Sequence, residues 1–403
     1  MNLIRIRSCL WVALSVSAAL MSVNAAAQNR KSIDVDKARV VEFWTPERIA
    51  AAIPRDLVID SRGLGYLRHP DGFLQPYGHK IRAEVTPRSL PPSPFAKPGG
   101  PGGGGGGGGT TTNVIKNAEW TADNAIQRAA GRLLFAMDGG LYVCSGTVVA
   151  EPKSDRSIIL TAAHCVYDDV AKAFATNVKF IPDQAHTSSG KTDTDCTNDP
   201  LGCWVPTFGV VDVEWANKTF PKNIAWDYAF YVVNNAGAHI GGTLPDELDA
   251  AVNAPFYADF ELPPRFNVTG SRVDYTFALG YSYRFDPKFM YCAEDMTVNG
   301  SVNWWLPSCG LSGGSSGGPW VQVQDGSTSW SGDINGKIYS VNSWGYQGKS
   351  GMAGPKLSGN SATCVFDTAT SQVFDNVGSP GGGGKGAIVS WASPSTCSTT
   401  TYP

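Results

Sequence analysis

From about residue 113 onward the chain is written in short runs of β-branched and aromatic residues. Leu141–Cys144, Ser157–Leu160, Val178–Ile181, Val210–Val213, Tyr228–Val233, Tyr275–Leu279 and Lys337–Val341 are the clearest, with Gly, Pro, Asn and Asp between them. Runs of this kind, punctuated by turn formers, predict strands. No long 3.6-residue period separates them, so a βαβ parallel sheet is not expected. Many short strands in one stretch predict an all-β barrel or sandwich, or two of them.

The pattern ahead of residue 113 is different. Thr45-Pro46-Glu47-Arg48 reads as a helix start, with Thr at the N-cap, Pro at the first helical position and an acid in the first turn. Ile49, Ala52 and Ile53 give one short apolar face that Pro54 ends. The segment closes with the prolines Pro91, Pro92 and Pro94, and is followed by eight consecutive glycines, Gly102–Gly109. Poly-glycine has maximal backbone entropy and nothing to pack, so 98–112 is expected to be a flexible linker. Residues 28–97 are then a separable unit, expected to be a propeptide, the alternative being a small domain kept in the mature chain. Residues 1–27 carry Arg5 and Arg7, an apolar stretch from Leu10 to Met21 and the small residues Ala25–Ala27, the pattern of a secretory signal. The apolar stretch is shorter than the ~20 residues a membrane span needs.

Composition narrows the class. The chain has 403 residues with 32 Lys+Arg against 35 Asp+Glu, a net charge of −3. That balance argues against a nucleic-acid binder, which carries an excess of positive charge. Charged residues are 17% and aromatics 11%. Together with abundant glycine, these suit an extracellular β protein and not a helical bundle.

Nine cysteines are present, and Cys9 would leave with the signal. The remaining eight are Cys144, Cys165, Cys196, Cys203, Cys292, Cys309, Cys364 and Cys397. An even number in a secreted chain predicts four disulfides, whose pairing the count alone does not decide. Metal binding is the rival reading, but no pair has C-x-x-C spacing and no histidine cluster accompanies them, so no metal site is expected. Asp193, Asp195 and Asp199 lie close enough in sequence to hold calcium, although a solvated polar loop is the simpler reading.

Three segments carry candidate chemistry. Thr161-Ala162-Ala163-His164-Cys165 follows a buried-looking strand, Asp227 precedes another, and Gly313-Gly314-Ser315-Ser316-Gly317-Gly318-Pro319 is a glycine-rich turn around a serine. Taken singly, each has a plain reading: a packed histidine, a strand-edge charge, a turn. Taken together they meet the needs of acyl transfer. A serine hydroxyl is a poor nucleophile and needs a base, which His supplies near neutral pH. An acid must orient the imidazole and stabilise its charged form. Glycines let backbone N–H groups, here those of Gly314 and Ser316, converge on the developing oxyanion. Gly314-x-Ser316-x-Gly318 also fits the nucleophile elbow of α/β-hydrolases, whose chain order is Ser, acid, His. All five histidines (His69, His79, His164, His186 and His239) precede Ser316, which excludes that elbow.

With these residues, the chain from 113 resembles the trypsin/chymotrypsin-like serine proteases, and is most similar to the secreted bacterial branch that includes the glutamyl-endopeptidase type. Cys144-Ser145-Gly146-Thr147, the TAAHC block at Thr161–Cys165, Asp227-Tyr228-Ala229-Phe230, the GSSGGP block at Gly314–Pro319 and Ser343-Trp344-Gly345 carry the likeness. The resemblance implies two antiparallel six-stranded β-barrels with the active site in the cleft between them. It implies His164 as general base, Asp227 as its orienting acid and Ser316 as nucleophile. It also implies Ser343 as a partner of Asp227, a Cys144–Cys165 bridge, and Trp344 and Gly345 as the edge that pairs with substrate backbone. Cys292 with Cys309, Cys196 with Cys203, and Cys364 with Cys397 are the expected remaining pairs, the last tying down a C-terminal extension within 113–403.

Departures from the family pattern matter too. Ser315 stands where the animal digestive enzymes carry the Asp that pairs with a new N-terminus, and no Ile-Val-Gly-Gly start follows the glycine run. Removal of an inhibitory or folding-assisting propeptide is therefore expected instead. The floor of the specificity pocket falls on Gly310, which disfavours strict cleavage after Arg or Lys. Asn342 stands where some glutamyl endopeptidases place a His, so Glu selectivity is not expected either. The resulting expectation is a secreted, extracellular or periplasmic, monomeric serine endopeptidase. It would act on proteins or peptides, pair with its own propeptide, and need no cofactor, nucleic acid or membrane. A catalytically silent homologue that acts as a binding module, and an esterase using the same triad, are the rivals.

Overall fold

The computed structural model describes residues 35–83, 113–235, 247–253, 256–261, 275–322, 336–358, 361–372, 384–393 and 396–402. The expected signal and glycine linker lie outside these residues. All seven runs singled out above lie in strands, apart from two end residues: Tyr228 lies just before its strand, and Val213 opens a short helix.

The architecture is all-β, in two sheet-built units. The first is built on six antiparallel strands in the order Thr176–Pro182, Ala130–Met137, Gly140–Val149, Arg156–Thr161, Ala229–Asn234 and Phe208–Asp212. Its central strands are buried along nearly their whole length, which is why they read as continuous apolar runs and not as alternating ones. The second unit divides its strands between two sheets. One orders Tyr257–Ala258, Lys337–Val341, Pro319–Gln322, Tyr275–Gly280, Met290–Asp295 and Ile115–Glu119; the other contains Thr297–Asn299, Asn303–Leu306, Met352–Pro355 and Trp344–Tyr346.

Both ends of the chain enlarge these sheets. Gly386–Ser393 adds in parallel to Phe208–Asp212, and Thr396–Tyr402 pairs with it. The helix Ala362–Ser371 covers the same sheet, with Phe366 5.3 Å from Phe230 between ring centroids. The Cys364–Cys397 disulfide joins this helix to the last strand.

The segment before the glycine run packs against the strands that follow it. Its helix Pro46–Ala51 starts as expected, with the Thr45 hydroxyl accepting from the Arg48 N–H at 3.3 Å. Trp44, Ile49 and Ala52 are buried against Leu134, Val143 and Ile181. Leu57, Leu67 and Tyr77 join the main core. The strand Asp56–Ile59 pairs with Trp344–Tyr346, and Gly65–Arg68 and Leu74–Pro76 extend that sheet outward. Among the described residues no helix is long and apolar enough to cross a membrane.

Candidate active site

Register brings the acid to the base. Ala229 lies opposite Thr161 in the antiparallel pair of Ala229–Asn234 with Arg156–Thr161. Asp227 stands two residues before Ala229 and His164 three after Thr161, so both emerge at the same end of the pair. A short turn, Ala163–Cys165, presents the imidazole. His164 Nδ1 lies 2.7 Å from Asp227 Oδ2, and the His164 backbone N–H donates to Asp227 Oδ1 at 2.8 Å. The Ser343 hydroxyl donates to the same carboxylate. Burial pushes the Asp227 carboxyl up, but the neighbouring His164 and the hydrogen bonds from His164 and Ser343 outweigh it and hold the group below its ordinary value. A buried carboxylate with this many donors stays ionised and fixes the imidazole.

Ser316 comes from the second unit, on the turn that leads into Pro319–Gln322. Its carbonyl accepts from the Ser145 N–H at 2.7 Å, which ties the turn to the first unit. His164 Nε2 is buried without a hydrogen-bond partner, so no bond joins it to the Ser316 hydroxyl. Nucleophile–base contacts are often long before substrate arrives.

The two expected oxyanion donors are oriented from behind. The N–H and C=O of a trans peptide point in opposite directions. Gly313 C=O accepts from the Tyr283 N–H at 2.9 Å, which turns the Gly314 N–H away from Tyr283. Ser315 C=O accepts from the Gly318 N–H and from Asn342 Nδ2, both at 2.9 Å, which does the same for the Ser316 N–H. Within the described residues neither donor has a protein acceptor. Gly314 has φ +94°, and a Cβ there would stand 2.9 Å from Tyr281 O and Tyr283 N, so only glycine fits. The Ser145 hydroxyl receives the Tyr281 N–H and donates to Gly314 C=O, each at 2.9 Å.

These supporting residues were not legible as such in the sequence. Asn342 stands where some glutamyl endopeptidases place a His. It is fully buried, accepting from Trp320 Nε1 at 2.8 Å and donating to Leu279 O at 2.7 Å as well as to Ser315 O. Its place directly before Ser343 is the only signal that could have marked it. Ser315 donates to Ser312 O at 2.8 Å, a local bond that calls for no charged partner.

Gly310 lines a cavity of about 280 Å³ beside the serine turn, together with Ser312, Gly351 and Lys349. Trp344 is buried, and the edge it forms with Gly345 is occupied by Asp56–Ile59. The disulfides pair Cys144 with Cys165, Cys196 with Cys203, Cys292 with Cys309 and Cys364 with Cys397. Cys144, His164 and Cys165 lie together, but the two sulfurs are bonded to each other and offer no thiolate. Of the three acids weighed for calcium, Asp193 accepts from Ser189 and Asn198, and Asp195 caps Thr197. Burial pushes the Asp199 carboxyl up to about 6.

The constellation is similar to that of the trypsin/chymotrypsin-like serine proteases of the secreted bacterial branch. Residues 111–202 match the family model of the C-terminal domain of lysyl endopeptidase, a stretch that holds His164 and ends before Asp227 and Ser316. Among solved structures, the chain is similar to a thermostable serine protease from an extremophilic microorganism (26% identity, 62% of this chain and all of that one, TM-score 0.46). It is also similar to the protease Anisep from Arthrobacter nicotinovorans (25%, 64% and 100%, TM-score 0.46). A Glu endopeptidase matches at 16% identity, over 64% of this chain and 98% of that one, with TM-score 0.42. No curated protein matches the chain.

Proposed function

We propose that the chain is a secreted serine endopeptidase. Ser316 attacks the peptide carbonyl while His164 Nε2 takes its proton, and the N–H groups of Gly314 and Ser316 receive the oxyanion. His164 then protonates the leaving amine. In the second half-reaction His164 activates water against the acyl-enzyme. Asp227 holds the ring in the tautomer with Nδ1 protonated. The observation that carries this reading is the Ser343–Asp227–His164 chain of hydrogen bonds at one end of a strand pair, facing a serine turn whose two free N–H groups are fixed from behind. Four disulfides suit an oxidising compartment, in keeping with export.

Of the residues after 113 that line the cavity at Gly310, Arg284 and Lys349 are charged and none is a carboxylate; the acid on that cavity, Asp56, comes from the segment 53–59 and is paired with Arg68. That supports the expectation that cleavage is not confined to Lys or Arg. A fluorophosphonate probe should label the processed chain at Ser316, and Ser316→Ala should abolish both labelling and peptide turnover. Persistent labelling in the variant would sink the assignment. Turnover of a peptide library by the processed chain should show no dominant preference for Lys or Arg. Turnover of esters but not of matched amides would favour the esterase reading.

A further inference from the structure

The segment before the linker crosses the cleft and touches both of its rims. Ile53 and Pro54 pair in parallel with Tyr142 and Val143 of the first unit. Leu57, Val58 and Ile59 pair in parallel with Trp344, Gly345 and Tyr346 of the second. Each rim adjoins the triad. Val143 precedes Cys144, whose disulfide partner Cys165 follows His164. Trp344 follows Ser343, which bonds Asp227. Between the rims, Pro54 and Asp56 press on the serine turn: a Cβ added to Gly313 would stand 2.8 Å from the Cβ of each. Asp56 is held by Arg68 at 2.8 Å, and this ion pair forms a wall of the cavity at Gly310.

Arg55 lies at the centre of this crossing and is buried. Its guanidinium reaches Asp168 Oδ2 at 3.1 Å and the Tyr77 hydroxyl at 2.5 Å, and lies 5.5 Å from the centre of the Tyr142 ring. Asp168 stands four residues after His164 in the catalytic unit. Its neighbour Asp169 accepts from the Tyr77 hydroxyl and, at 2.8 Å, from Asn223 Nδ2. A buried guanidinium is tolerated only where such partners are already in place, so the pocket and the arginine specify each other.

We propose that residues 53–59 are the protease's own cleft inhibitor, anchored by Arg55 in a cation pocket that Asp168 supplies. The proposal rests on the protease reading above. The occupant is a segment of this same chain: an extended, mostly apolar strand with one cationic side chain. It consumes the backbone bonding capacity of Trp344–Tyr346, on which an extended substrate would pair, and covers the turn carrying Gly314.

The test uses the full chain with a specific cleavage sequence placed within Gly102–Gly109. Fluorophosphonate labelling of Ser316 and peptide turnover are followed before the cut, after it, and after dilution. The uncut chain should label slowly. The cut chain should gain activity only as dilution lets the segment leave. Arg55→Ala should raise the activity of the uncut chain by about ten-fold or more, the size of one lost charge-assisted hydrogen bond, and Arg55→Lys by less. Should Arg55→Ala fail to fold, the dilution series on the cut parent decides alone. Equal labelling of the uncut, cut and diluted forms overturns the inhibitor proposal and leaves the protease reading intact. No labelling of Ser316 in any form, including after the segment has been separated from the cut chain, overturns the protease reading instead.

Discussion

The smallest features decide whether this site can work. Gly314 is the clearest case, because its φ of +94° and the 2.9 Å approach of Tyr281 O and Tyr283 N leave no room for a side chain. Gly314→Ala should rotate the Gly313–Gly314 peptide and misdirect one oxyanion donor. A loss of about 10²–10³-fold in kcat is expected, the usual cost of one such donor, with little change in the circular dichroism spectrum. Unchanged kcat would mean that this N–H is not used. The sequence marked Gly314 because glycine in a serine turn has few other purposes. It did not mark Asn342, Ser145 or Tyr283 as the residues that hold the turn from behind. Their contacts lie 27 to 169 residues apart along the chain, and nothing local betrays them.

Strands and the turns between them set the next level. Paired strands deliver His164 and Asp227 to one end, and the Cys144–Cys165 bridge closes the loop that carries the histidine, with a sequence separation of 21. In the chain-entropy account a loop of that size contributes roughly 3 kcal/mol. The double variant Cys144→Ala, Cys165→Ala should lower the unfolding free energy by about that amount and reduce kcat as well, because His164 loses a neighbour that fixes its turn. A stability loss with kcat preserved would show that the bridge serves the fold alone. At this scale the sequence was most readable. Each β-branched run lay in a strand, because buried central strands have no polar face to confuse the pattern. The helix Ala362–Ser371 went unread, because its buried positions, Ala362, Val365, Thr368 and Ala369 among them, are mostly small or β-branched and make only a weak apolar stripe.

Over the whole molecule, buried acids make stability depend on pH. Burial pushes Asp212 up to about 6, although Ser361 and the Glu214 N–H pull it partly back. A carboxyl raised in the fold stabilises fully below its unfolded value near 4, and that contribution is lost as pH rises through about 6. Asp212→Asn removes the titration while keeping a capping oxygen. The parent chain should therefore lose up to about 2–3 kcal/mol relative to the variant between pH 4 and 6.5, read as the difference in Tm across that range. Parallel curves would show that Asp212 does not titrate in that window. The all-β class and the two-unit architecture were legible from patterning and from the likeness of five short motifs. The packing of residues 35–83 on the strands after residue 113 was not, since a glycine run says only that two segments are loosely tethered and nothing about whether they touch.

The strand Asp56–Ile59 has one more consequence, for solubility. An exposed sheet edge invites pairing with other chains, and the strand Trp344–Tyr346 with Trp305 beside it would make a sticky one. While Asp56–Ile59 is in place, the outermost strand of that sheet is Leu74–Pro76, only three residues long and ended by proline. With the N-terminal segment in place that border is covered and the sheet ends on this side in a short, blunt strand; loss of the segment would expose it.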